Sequence, residues 1–158
     1  MDKQELIKEL RETFEKTKKE LNFKTSFEEI DSVFYLTDLI LEKKFISNDF
    51  SNQLRTRILD VLIWWDNYLH GLVMPNPQNL FMIHESKALN EADKKKMMKM
   101  MSRVAHILSK NHLLRLSSNK KEEGKLIDEM IGFWKEKYLP FMKEIMSKLE
   151  YSWKEDDK

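Results

Sequence analysis

Apolar residues return every three or four positions along most of this chain, the spacing of amphipathic helices. Capping residues mark where those helices begin. Ser26 precedes Glu29, Asn90 precedes Asp93 and Asn119 precedes Glu122 at the interval at which a side-chain oxygen takes an orphan N–H and an acid answers from the first turn. A further start lies at Ser47 or Asn48, and Gly71 stands where a left-handed cap would close that helix. The pattern predicts helices near 3–21, 27–45, 49–70, 91–116 and 120–152.

In the third of these, Phe50, Leu54, Ile58, Val61, Leu62, Trp65, Tyr68, Leu69 and Leu72 cover one half of the wheel, while Leu59 and Ile63 lie opposite. A helix apolar on nearly every side is usually central. The second carries Phe27, Ile30, Phe34, Leu41 and Phe45 on one face, with Val33, Leu36, Leu39 and Ile40 around the other. Asp38 falls inside the Phe-rich stripe, so burial there demands a cation, a proton or a wetter end of the helix. The joints at 22–26, 46–48 and 117–119 are short, which favours antiparallel neighbours. Only residues 72–90 form a long connection, and a short extra helix is expected near Asn79 to Leu89, after Pro75 and Pro77. Pro140 interrupts the last helix, because its ring crowds the carbonyl four residues back. The fold class expected is all-α: a single domain, 1–158, built as one bundle of five or six helices, with the 49–70 helix central and the last helix kinked at Pro140.

Composition narrows the chemistry. The 158 residues include no Cys, three Gly and three Pro, with 41% hydrophobic and 35% charged. Without thiols there is no cysteine nucleophile, zinc ribbon or disulfide framework, and a chain of this length buries enough surface to fold without a staple. The start, MDKQELIKEL, lacks the apolar stretch of a signal peptide, and the longest apolar run, Val61 to Trp65, is far too short to span a bilayer. A cytoplasmic location is the expectation.

Charge changes the picture more. The chain carries a net charge of +1, yet between residues 94 and 121 stand Lys94, Lys95, Lys96, Lys99, Arg103, Lys110, Arg115, Lys120 and Lys121 with no acid. On a helical wheel Lys95, Lys99, Arg103, His106 and Lys110 share one narrow arc, a basic stripe roughly 22 Å long at 1.5 Å per residue. Met97, Met98, Met100, Met101, Val104, Ala105, Ile107 and Leu108 oppose it as an ordinary core face. The stripe is either a solvated face balanced by neighbouring acids or a docking surface for an anionic partner. Aromatic residues are absent from it, which argues against base stacking.

Four histidines are candidate metal ligands. His106 and His112 diverge around their helix, whereas Asp66 and His70 are one turn apart and His84 and Glu85 sit in the long connection that follows. Those four could hold a divalent metal if the connection folded back; otherwise His70 bonds Asp66 at the end of its helix. Three glycines leave no phosphate-cradling loop, dinucleotide turn or nucleophile elbow. The expected function is therefore a non-catalytic helical interaction or adaptor protein, needing no cofactor, that presents the basic face to an acidic protein partner. The alternatives are nucleic-acid binding through phosphate contacts by the 91–116 helix and a metal-dependent helical enzyme. Phe81, in the apolar run Leu80 to Ile83, either seals one end of the core or joins the partner surface.

Overall fold

A computed structural model describes residues 2–158. Its elements are α1 (Lys3–Leu21), α2 (Phe27–Phe34), α3 (Leu36–Lys43), α4 (Phe50–Val73), α5 (Leu80–Lys87), α6 (Glu91–Leu116), α7 (Lys120–Phe133), a π turn (Trp134–Tyr138) and α8 (Leu139–Asp156). No strand occurs among the described residues. Because α7, the π turn and α8 follow without a break, they count as one, and the described chain has seven helices rather than five or six.

Two local features account for the difference. The helix expected over 27–45 is split at Tyr35, which takes a left-handed conformation at φ 51° and ψ 50°. Asp31 makes that break affordable: its carboxylate accepts the Thr37 backbone N–H at 2.6 Å and the Thr37 hydroxyl at 2.9 Å, so the new N-terminus of α3 is capped from α2. The Arg57 guanidinium donates to the carbonyl of Phe34 at the other side of the break. This turn shifts the wheel. Leu36 and Ile40 become the buried positions of α3, whereas Asp38 and Phe45 are exposed, so the carboxylate expected to need a partner stands in solvent. The second feature is α5, the short helix expected in the long connection.

Gly71 does not cap α4. The helix runs on to Val73 with no positive φ at any described glycine. Pro140 is likewise accommodated within helix: the Leu139 N–H bonds the Trp134 carbonyl five residues back, and this wider turn relieves the crowding that a proline imposes on the turn before it. The irregularity expected at the proline thus appears as a π turn just ahead of it.

The chain divides into two compact units. The first takes the chain through Val61 together with Ile107–Ile131. Its core joins Leu6, Leu10 and Phe14 of α1 to Phe27, Ile30 and Phe34 of α2, Leu54 and Ile58 of α4, and Ile127 and Met130 of α7. Phe14 meets Phe23 and Phe27 edge-on, with ring centroids 5.6 and 5.3 Å apart, the geometry that aromatic quadrupoles favour. At Gly124 the backbone of α7 approaches the end of α1 so closely that a Cβ would lie 2.0 Å from the Leu21 carbonyl oxygen. Nearby, Asp128 accepts the backbone N–H of Lys24 and both the N–H and hydroxyl of Thr25, holding the joint between α1 and α2 onto α7. The second unit takes Leu62–His106 and Gly132–Lys158. Leu62, Leu69 and Leu72 of α4, Met97 and Val104 of α6, and Tyr138, Phe141, Ile145 and Leu149 from the last helix are its buried side chains.

Candidate functional site

In the second unit, α6 exposes Lys95, Lys99, Arg103 and His106, as the wheel predicts. The buried face behind them is narrower than expected. Met97 and Val104 are buried, Met100 and Met101 are half-buried, and Met98 is 56% exposed beside the stripe. Among the described residues, Lys95 and Lys99 find neither a hydrogen-bond nor an ion-pair partner. The guanidinium of Arg103 lies over the Phe133 ring, 5.9 Å from its centroid, and Lys96, just off the stripe, reaches Glu144 at 3.6 Å. The fifth member behaves otherwise: in the first unit, Lys110 donates to both carboxylate oxygens of Glu129 at 3.0 and 2.8 Å. The exposed basic face therefore ends at His106, and Lys110 serves as an internal ion-pair partner.

The metal set does not assemble. Among the described residues no group of three His, Asp or Glu side chains could hold an ion. Two of the four candidates, His84 and Glu85, are engaged elsewhere. The His84 imidazole stacks on Trp153 at 4.1 Å and lies 3.0 Å from the Asp156 carboxylate and 3.1 Å from the Ser152 hydroxyl. Glu85 accepts the Tyr68 hydroxyl at 2.6 Å and the Trp153 indole N–H at 3.1 Å. His70 is exposed and makes no hydrogen bond to Asp66, contrary to the pairing expected one helical turn apart.

Asp66 is the odd group of this unit. Its Oδ1 is buried without a hydrogen-bond partner, as is the hydroxyl of Tyr138 in the π turn. Burial pushes the Asp66 carboxyl above the ordinary aspartate range, against a smaller opposing pull from His70. Burial, and then the Asp66 charge, raise the Tyr138 phenol too.

The apolar run at the start of α5 is not sealed into the core. Leu80 is 76% and Phe81 72% exposed, with Phe81 resting against Trp153 at 5.9 Å between centroids. Periodicity is the reason: the buried members of this segment are Ser86 and Leu89, and Leu80 and Phe81 face away from them. Glu85 and His84 hold α5 through the polar and aromatic contacts described above.

Sequence reasoning missed the densest polar cluster. In the first unit, Arg55 is only 1% exposed; it donates to Asn111 Oδ1, to Glu123 Oε1 at 2.9 Å and, weakly, to the Ser51 hydroxyl at 3.4 Å. Glu123 Oε1 also takes the Ser51 hydroxyl at 3.2 Å. A signal was present, because Arg55 falls on the wheel between Leu62 and Leu59, and Glu123 precedes Leu126, Ile127 and Met130 at core spacing. Burial lowers the guanidinium from its usual value, and the Glu123 charge opposes that shift. No family model, no curated protein and no solved structure matches this chain.

Proposed function

We propose that the chain is a non-catalytic interaction protein that docks an acidic protein surface on the exposed basic face of α6. The observation that supports this reading is the pair Lys95 and Lys99: both are exposed, and neither has a counter-ion. Unpaired ammonium groups on a rigid helix keep their field for an incoming anion, which speeds encounter and selects partner charge. Met98 favours protein over nucleic acid as that partner. Its exposed thioether beside the lysines offers an adaptable apolar contact, which a phosphate backbone would not use.

The test compares wild type with the double variant Lys95→Glu/Lys99→Glu, titrated with poly-L-glutamate and with a short DNA duplex over a range of salt. Poly-L-glutamate should bind wild type saturably and the variant at least about tenfold more weakly, with the melting temperature unchanged, since exposed substitutions alter stability by about 0.5 kcal/mol or less. Tighter binding of the duplex, with log affinity falling by about 0.9 per log unit of salt for each phosphate contacted, would replace this reading with the nucleic-acid one. Binding of neither polymer by wild type would overturn both.

A further inference from the structure

The first unit contains a cleft of about 330 Å³, formed by α1, the start of α4 and the joint leading into α7. That volume is within the range of small-molecule sites, roughly 300–1,000 Å³. Its wall includes Glu123, whose side chain is more than nine-tenths buried. The two oxygens of this carboxylate are treated unequally. Oε1 receives Arg55 at 2.9 Å and Ser51 at 3.2 Å, whereas Oε2 receives only the Ser118 hydroxyl at 3.5 Å, the outer limit of a hydrogen bond. A carboxylate oxygen so poorly served by the protein has unused accepting capacity, and the burial of most of this side chain makes a good donor there valuable.

Charge then selects the ligand. Glu20, Asp49 and Glu123 border the cleft, against Lys16 and Lys120 at its edge and the Arg55 guanidinium bonded behind Glu123. These formal charges balance, so a ligand with a net charge gains little from the site as a whole. Lys120 is turned toward Glu20 at 4.0 Å, but Lys16 is exposed and has no ion-pair partner. Among the described residues, the cleft thus offers an acceptor for an inward donor and, in Lys16, a cation without an ion-pair partner at the rim.

We propose that this cleft binds a small zwitterion of the amino-acid type, its ammonium group donating to Glu123 Oε2 and Ser118 and its carboxylate meeting Lys16. This site is independent of the basic face of α6 and would stand if the docking reading failed. The two ends of the ligand meet opposite charges in the cleft, so a compound with only one of them should bind far more weakly.

The experiment uses the full chain and a series of ω-amino acids of increasing length, glycine, 4-aminobutyrate and 6-aminohexanoate, followed by amide NMR and calorimetry. Butylamine, butyrate, hexylamine and hexanoate are the single-ended controls. At least one ω-amino acid should bind saturably, shift the amides of Ser118 and Glu123, and bind at least tenfold more tightly than its matched amine or carboxylate. Lys16→Ala, an exposed substitution that leaves the fold intact, should reduce that ligand to the affinity of the amine alone; Ser118→Ala should weaken the amine and the zwitterion equally. The proposal is overturned if no member of the series binds at millimolar concentration, if the controls bind as well as the zwitterions, or if the shifted amides lie outside the cleft.

Discussion

Arg55 and Asp66 occupy the same helix, and their surroundings treat them in opposite ways. Arg55, in the first unit, meets a carboxylate, an amide oxygen and a hydroxyl, so its charge leaves water with partners on three sides. Asp66, in the second, has a buried oxygen that nothing bonds, near a tyrosine hydroxyl that is equally unbonded. The first arrangement answers the desolvation of a charge with another charge and neutral dipoles; the second leaves the proton as the only remaining response. Both are costly relative to apolar packing, but they fail differently when disturbed.

Breaking the first arrangement should have the largest effect. Glu123→Ala leaves the Arg55 guanidinium buried without its counter-charge, and should cost about 3–5 kcal/mol, the usual penalty for orphaning one member of a buried pair. Urea unfolding measures this directly. The double replacement Arg55→Met/Glu123→Leu should recover most of the loss, because it removes both charges and fills the space with apolar atoms. If the single variant costs as little as the double, the pair carries no coupling and the contrast with Asp66 disappears.

The second arrangement should respond in the other direction. Asp66 has a raised folded pKa, so the proton is held more tightly in the folded chain than in the unfolded one. Its contribution to stability is therefore complete below the ordinary aspartate range and is lost as pH rises through the raised value. Asp66→Asn removes the ionised form and should be more stable than wild type at pH 7 by on the order of 1 kcal/mol, with the advantage vanishing toward pH 3. Asp93 gives the opposite slope in the same unit. Burial alone would raise it, but the bond from Lys148 and the N–H of Asn90 hold it below the usual range, so its contribution is present at neutral pH and lost on acidification. Asp93→Asn should therefore destabilise at pH 7, and the two pH profiles should slope in opposite senses in urea titrations.

How much of this was legible in the sequence depends on whether the decisive partner was local. The capping pairs Ser26–Glu29 and Asn90–Asp93 form as read, because both members lie within one helical turn. The break at Tyr35 was not legible: nothing at that position signals a left-handed residue, and the cap that stabilises it comes from Asp31, six residues before Thr37. The exposed lysines of α6 followed from periodicity alone. Lys110 did not, since its partner Glu129 is on another helix, and the same distance in sequence hid the cluster of Arg55, Asn111 and Glu123. The Asp66–His70 pairing was inferred from spacing, but spacing fixes only that two side chains lie on one face; burial of one and exposure of the other kept them apart.

Phe81 supplies the smallest expected effect and the sharpest contrast with Glu123, because an apolar run suggests a core residue and the structure gives a surface one. The residue is 72% exposed, and its ring lies tilted against that of Trp153. What secures α5 instead is Glu85, which accepts from Tyr68 and Trp153, and His84, stacked on Trp153 beside Asp156. Phe81→Asp therefore introduces a charge into water, where it costs little, and should alter the unfolding free energy by about 0.5 kcal/mol or less in urea titration. Glu85→Ala removes both acceptors of the clasp and should destabilise more, by about 1–3 kcal/mol, through the buried share of the Tyr68 hydroxyl left without its partner. A clear loss of stability in Phe81→Asp with none in Glu85→Ala would reverse this order, making the apolar run the anchor of α5 and the polar clasp incidental to it.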